Sequence, residues 1–182
     1  MLERKFELEG LTFAVITVSD RSSRGEREDL SGAELKAFIE KLGGQVGRTL
    51  VIPDEKEIIK QKLVELSDSE ESPEIILTTG GTGLSPRDVT PEATKEIIEK
   101  EVPGLAEAMR AESLKKTPMT MLSRAICGIR NKTLIINLPG SVRGALENFQ
   151  VVVPALEHAI EIMRQKISDC QQSTHHGYHH KN

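Results

Sequence analysis

Residues 11–18 read LTFAVITV, an almost continuous apolar run. Such a run is a strand buried on both faces, as in a parallel sheet, rather than one with an inner and an outer face. The sequence that follows supplies helices to cover it. Ser31-Gly-Ala-Glu34 fits a capping box, and the helix it opens places Leu35, Phe38, Ile39 and Leu42 at three- and four-residue steps before Gly43-Gly44 stops it. Gln45 to Ile52 reads as a second strand, ended by Pro53. Asp54 with Glu57 has the form of a helix N-cap, and Ile58, Ile59, Leu63 and Leu66 give that helix an apolar face. A polar loop over 67–73 leads to a third strand, 74–79.

The second half continues the alternation. Thr90, with Pro91 at the first helical position, is expected to cap a helix ending near Val102-Pro103-Gly104. Residues 105–114 form a further helix, and 115–121 carry no clear pattern. Residues 123–130 and 133–137 read as strands joined by an Asn131-Lys132 hairpin turn. Ser141 caps the last helical stretch, which Pro154 is expected to divide into one helix to about Val152 and another over 154–167. The prediction is an α/β domain over 1–167 with a mainly parallel sheet and one late antiparallel hairpin, followed by a flexible tail, 168–182.

Composition narrows the function. With 37% hydrophobic and 29% charged residues in 182, one globular domain with a sizeable core is expected. The net charge of −4 predicts no general affinity for nucleic acid or membranes, so an anionic ligand must be held locally. The opening MLERKFELEG is too charged for a signal peptide, and no apolar run reaches spanning length. Cys127 and Cys170 lack metal or redox spacing and read as free thiols of a reducing cytosol. Aromatic residues make up only 3%, so a flat ring ligand would rest on backbone and aliphatic contacts.

Four strand-to-helix loops carry small, polar or acidic residues where a plain connection would need only a cap: Ser19 to Arg21, Asp54, Gly80 to Asp88, and Asn137 to Ser141. In open α/β sheets these loops lie together outside the carboxyl ends of the strands. The richest is TTGGTGLSPRDVTPEAT, residues 78–94. Glycines at 80, 81 and 83 allow positive φ and close ligand approach, so several N–H groups can line one anion-binding concavity. Asp88 is placed to hold a cation against a phosphate. Neither G-x-x-x-x-G-K-[ST] nor G-x-G-x-x-G occurs in this loop, which excludes the common nucleotide fingerprints.

That loop, the SDR turn at 19–21, D-x-SG at Asp29 to Gly32, IPDE at 52–55, MLSR at 121–124 and NLPGS at 137–141 together resemble the MogA family of molybdopterin adenylyltransferases, in order and spacing over roughly residues 10 to 167. The resemblance implies a three-layer α/β sandwich, usually a homotrimer, that uses ATP and Mg²⁺ to adenylylate molybdopterin and release pyrophosphate. It also implies a possible contact with a molybdate-inserting protein of the MoeA type. Plant and animal relatives carry that partner fused to this domain, and a chain of this length is expected to lack it.

On the same resemblance, Asp54 and Asp88 are the catalytic and metal-binding residues. Thr79, Gly80, Gly81, Thr82, Gly83, Arg87, Pro139 and Gly140 bind ATP and its phosphates. Ser19, Asp20, Arg21, Ser113, Ser123, Asn137 and Ser141 bind the pterin. Arg143 is a further candidate to offset phosphate charge. Plainer roles stand beside these: a turn for Asp88, caps for Asp54 and Ser141, and a solvated surface for the arginines. Two other functions also remain, a molybdopterin carrier of the MoaB type without chemistry, and a nucleotide hydrolase, for which no water-activating arrangement is visible.

Overall fold

The computed structural model describes residues 7–164. In chain order the elements are β1 Thr12–Val18, α1 Asp20–Ser23, α2 Leu30–Lys41, β2 Gln45–Ile52, α3 Lys56–Ser67, β3 Ile75–Thr79, α4 Thr90–Ile97, β4 Lys100–Glu101, α5 Pro103–Leu114, a 3₁₀ turn Pro118–Leu122, β5 Cys127–Arg130, β6 Thr133–Leu138 and α6 Val142–Met163. The sheet order is β2-β1-β3-β6-β5-β4. β2, β1, β3 and β6 are parallel, while β5 and β4 add antiparallel strands at one edge.

The apolar runs have the structural basis expected of them. Along β1, Phe13 and Val15 enter one core with α2, α5 and α6, while Ala14, Ile16 and Val18 enter a second core with α3 and α4. β3 and β6 alternate likewise, Leu77 and Ile136 facing the first core and Ile76 and Ile135 the second. Both faces of these strands are therefore covered, and continuous hydrophobicity follows. Edge-to-face contacts of Phe149 with Phe13 and Phe38, at centroid separations of 6.2 and 6.1 Å, fasten α6 to the sheet and to α2. The result is the three-layer, mainly parallel α/β architecture.

Several local expectations need correction. Pro154 does not divide the last helix: α6 is one helix of 22 residues with Pro154 inside it. Pro154 lies on the exposed side, where water can serve the carbonyl that loses its N–H partner, while Phe149, Val152, Val153 and Leu156 hold the opposite side in the core. α2 is capped by Asp29, whose Oδ1 accepts from Gly32 N at 2.9 Å, and Ser31 falls inside the helix. Asp54 is no cap either. Glu55 occupies that position on α3 without a side-chain bond. Thr90 is the first residue of α4 and follows Val89 at the cap. α4 stops at Ile97, before the short exposed strand β4, whose two residues have no apolar pattern to announce them. The hairpin turn is as expected, with Asn131 supplying the left-handed conformation at φ 52°, but its first strand begins at Cys127 rather than at 123. The expected tail, its histidines and Cys170 lie outside the described residues.

Chain direction fixes where a site can form. From β1 the chain moves out to β2, then returns past β1 to β3, so strand order reverses between β1 and β3. Such a reversal opens a crevice at the carboxyl ends. The four parallel strands finish level, with Val18 beside Ile52, Thr17 beside Thr79 and Thr79 beside Leu138. Their following loops therefore share one rim.

Candidate functional site

The backbone at this rim is tightly built. Gly80 has φ 107° and Gly81 φ 64°. A Cβ on Gly80 would lie 2.2 Å from the Val18 carbonyl oxygen, and one on Gly81 would lie 2.3 Å from Thr90 Oγ1. Conformation and close approach both demand glycine there. Gly80 N donates to the Leu138 carbonyl at 3.1 Å, and Thr79 Oγ1 donates to the Pro139 carbonyl at 2.8 Å. The glycine loop and the Pro139–Ser141 ridge are thereby held together. Ser141 Oγ accepts from Gly144 N and caps α6, as expected.

Two cavities flank this joined backbone. The first, of about 380 Å³, is lined by the strand-end residues Thr17, Ser19, Asp54, Gly80 and Gly81, and by Asp88 from the loop before α4. The second, of about 310 Å³, is lined by Thr82, Gly83, Ser113, Lys116, Ser123 and Pro139. Ser141 lines both. The loop thus runs from one cavity, at Gly80 and Gly81, into the other, at Thr82 and Gly83.

The first cleft is acidic. Glu28, Asp29, Asp54 and Asp88 line it, with Arg27 as a cation among them. Asp54 is locked to the loop after β1: Asp20 N donates to Asp54 Oδ2 at 2.7 Å, and Asp54 N donates to Asp20 Oδ1 at 3.1 Å. Burial pushes the Asp54 carboxyl above its ordinary range. The Asp20 amide works against this, while the charges of Asp20 and Asp88 add to it. Asp88 Oδ2 accepts from Ser85 N at 2.8 Å and closes the turn that carries it. Thr90 Oγ1 is buried and has no hydrogen-bond partner among the described residues.

The structure divides the expected site residues differently from their predicted roles. Ser19 stands in the first cleft beside Asp54, apart from the other expected pterin residues Ser113 and Ser123. Asn137 lines neither cavity. It is fully buried, its Nδ2 donating to Thr78 Oγ1 and Thr94 Oγ1 at 3.0 Å each, and its Oδ1 accepting from Ile126 N, so its amide is spent on binding β6 to its neighbours. Arg87 also lies outside both cavities. It forks onto Asp20 at 3.0 and 2.8 Å and pairs with Glu55 at 2.8 Å. The Arg87 hydrogen bonds hold the Asp20 carboxyl below its usual range. Arg21 is exposed on the one-turn helix α1, and Arg143 is exposed and paired with Glu147. Cys127 is no nucleophile, since burial pushes its thiol up to about 12.

Sequence reasoning missed two wall residues of note. Asp29 lines the first cleft and accepts from Thr17 Oγ1 at 2.8 Å. Its signal was present, an aspartate directly before a helix, but the capping box at Ser31 drew the assignment. Lys116 lines the second cavity and pairs with Glu147 at 3.2 Å. It falls in the unpatterned stretch after α5, where the sequence offered no cue.

Comparison with known proteins gives a consistent picture. A family described as a probable molybdopterin binding domain matches residues 14–158. The chain is 45% identical over 165 residues to the molybdenum cofactor synthesis protein cinnamon of Drosophila melanogaster, covering 88% of this chain and 27% of that one. It is 40% identical over 161 residues to a molybdopterin adenylyltransferase of Helicobacter pylori, covering 86% and 89% of the two chains. This chain therefore spans about a quarter of the first relative and most of the second. The crystal structure of a molybdopterin biosynthesis enzyme, MoaB, from Thermus thermophilus superposes with a TM-score of 0.80 at 45% identity, over 85% of this chain and 97% of that one.

Proposed function

The chain belongs to the family of probable molybdopterin binding domains, and from that premise we propose that it transfers AMP from ATP to molybdopterin, giving adenylylated molybdopterin and pyrophosphate. The observation that carries the proposal is the pair of cavities meeting at Ser141, with one glycine loop passing between them. Two substrates that must exchange a group need adjoining seats. In this reading the triphosphate occupies the acidic cleft and the pterin the second cavity. The terminal phosphate of molybdopterin attacks the α-phosphorus of ATP, and pyrophosphate carries away the bonding electrons.

The chain's own task is alignment and charge control rather than covalent catalysis. Loop amides from Gly81 to Gly83 face the phosphates, the Gly80 amide being spent on the Leu138 carbonyl, and the ammonium of Lys116 offsets charge on the pterin side. The hydroxyls of Ser113 and Ser123 hydrogen-bond the pterin. Ser113 Oγ is held for this by Asn148 Oδ1 at 3.4 Å.

An acidic cleft repels a triphosphate unless a cation comes with it. Asp54 and Asp88 would hold Mg²⁺, which when bound neutralises phosphate charge and orients the α-phosphorus. The donor set suits that ion. Asp54 Oδ1 and the unpartnered Thr90 hydroxyl approach the same space, the one a Cβ on Gly81 would fill, and all are oxygen donors. The reading includes a cytosolic homotrimer that passes its product to a molybdate-inserting protein of the MoeA type. The exposed apolar side chains Leu84, Met119 and Met121 offer contact area for such assembly.

The test is to incubate the protein with ATP, Mg²⁺ and molybdopterin and measure pyrophosphate and adenylylated pterin. The expected outcome is equimolar formation of both. Molybdopterin binding without pyrophosphate release would replace the proposal with a carrier role. Phosphate release from ATP without pterin would replace it with hydrolysis.

A further inference from the structure

We propose that Arg124 is the positioning residue that holds the glycine loop and Asp88 in register with the second cavity. Its backbone N donates to the Thr82 carbonyl at 3.0 Å. Its guanidinium donates from Nε to the Gly83 carbonyl at 2.7 Å and from Nη2 to the Asp88 carbonyl at 2.5 Å, while Nη1 pairs with Glu92 on α4. One planar fork thus spans both ends of the segment 83–88 and anchors it to the helix that follows. Lysine, with a single donor head, cannot reproduce that geometry.

The location of the fork gives it a role beyond loop closure. Segment 83–88 has few other ties: Ser85 N to Asp88 Oδ2, Asp88 N to the Ser85 carbonyl, Arg87 N to Ser85 Oγ at 3.4 Å, and the exposed Arg87 pairs. Arg124 itself follows Ser123 in the second cavity's wall. It precedes Ala125, whose carbonyl accepts from Arg110 Nη1 of α5 at 2.8 Å, and Ile126, whose N–H reaches Asn137 Oδ1. The residue is therefore rooted in the wall of one cavity and sets the carboxylate of the other. A shift of about 1 Å in Asp88 is enough to cost about a hundredfold in rate. Arg124 touches neither cavity's contents and acts only through Gly83 and Asp88.

The kinetic part of this inference rests on the proposed adenylyl transfer, but the structural part does not. The experiment compares wild type, Arg124→Gln and Arg124→Lys by peptide-resolved amide exchange and by steady-state kinetics. Arg124→Gln is expected to speed exchange in 82–88 about tenfold and leave the strand peptide 75–79 unchanged. Its kcat is expected to fall about 10- to 100-fold while KM for molybdopterin stays within about threefold. Arg124→Lys, which keeps the charge toward Glu92, should show a smaller shift of the same kind, and it decides the matter if the glutamine variant does not fold. Wild-type exchange over 82–88 in the folded variants would overturn the inference, as would a change confined to KM. If wild type itself makes no adenylylated product, the functional proposal fails, and the exchange data still decide Arg124.

Discussion

The two cavities beside the glycine loop are made of different material. The first is cut into the ends of buried strands. Thr17, Val18 and Thr79 belong to the sheet, and the residues after them have little freedom to move because the strands finish level and are covered on both faces. The second is assembled from the end of α5, the 3₁₀ turn and the start of α6, and its wall includes the exposed Met119 and Leu122. Packing density of this kind separates regions that open only on global unfolding from regions that open locally. The first cavity suits chemistry that needs fixed charges, and the second suits recognition of a larger, shaped ligand. Mutations on the two sides should therefore fail in different ways.

The largest effect is expected at Asp88. Its carboxylate does two jobs, lining the acidic cleft and accepting from Ser85 N. Asp88→Asn keeps an oxygen acceptor for the turn and removes the charge. Both Asp88→Ala and Asp88→Asn should lower kcat by about a hundredfold or more, with molybdopterin affinity changed by no more than about threefold. Single-turnover rates and equilibrium pterin binding measure the two quantities separately. Wild-type turnover in Asp88→Asn would mean that the residue serves only its turn, and the contrast between the cavities would lose its chemical side.

The same contrast explains what could be read from the chain in advance. Strands buried on both faces announce themselves as apolar runs, so β1, β3 and β6 and the loops at their ends were legible, and with them Gly80, Gly81 and Asp88; Asp54 follows the exposed edge strand β2 and was legible through the turn at Pro53 instead. The cap at Asp29 was signalled but overshadowed by the competing capping box at Ser31, and the continuity of α6 through Pro154 was not legible. That continuity depends on which side of the helix meets the core, and local rules do not carry that information. Asn137 shows the limit most clearly. A strand-end asparagine near a predicted site looks like a ligand contact, but three polar groups from β3, α4 and the segment before β5 take up its amide. The second cavity was visible through the glycine loop, the Pro139–Ser141 turn and two serines, while Lys116 and the walls from the 3₁₀ turn come from a segment without periodicity.

A smaller effect is expected in that second wall. Ser123→Ala removes one hydroxyl from a cavity whose other walls stay in place. Losing one neutral hydrogen bond to ligand is worth about 0.5–1.5 kcal/mol, so KM for molybdopterin should rise about two- to tenfold with kcat nearly unchanged. KM for ATP should not move. An equal loss in both substrates' parameters would show that the cavities do not divide the substrates as proposed.

The smallest effect concerns stability and tests whether the first cleft is built against its own comfort. Burial raises the Asp54 carboxyl above its ordinary 3.8, so the native chain binds this proton more tightly than the unfolded chain. Stability must then fall as pH rises from about 3.8 through the raised value, and at neutral pH the full cost of the charge is present. Asp54→Asn removes the charge and keeps an oxygen that can accept from Asp20 N. The variant should melt about 1–2 °C above wild type at neutral pH, as expected for about 0.5 kcal/mol in a chain of this size, and the difference should vanish toward the acid end. Mg²⁺ with an ATP analogue should raise the melting temperature of wild type and do so less in Asp54→Asn. A variant that melts lower at every pH would mean that the Asp20–Asp54 bonds outweigh the buried charge, making Asp54 a structural strut first and a ligand second.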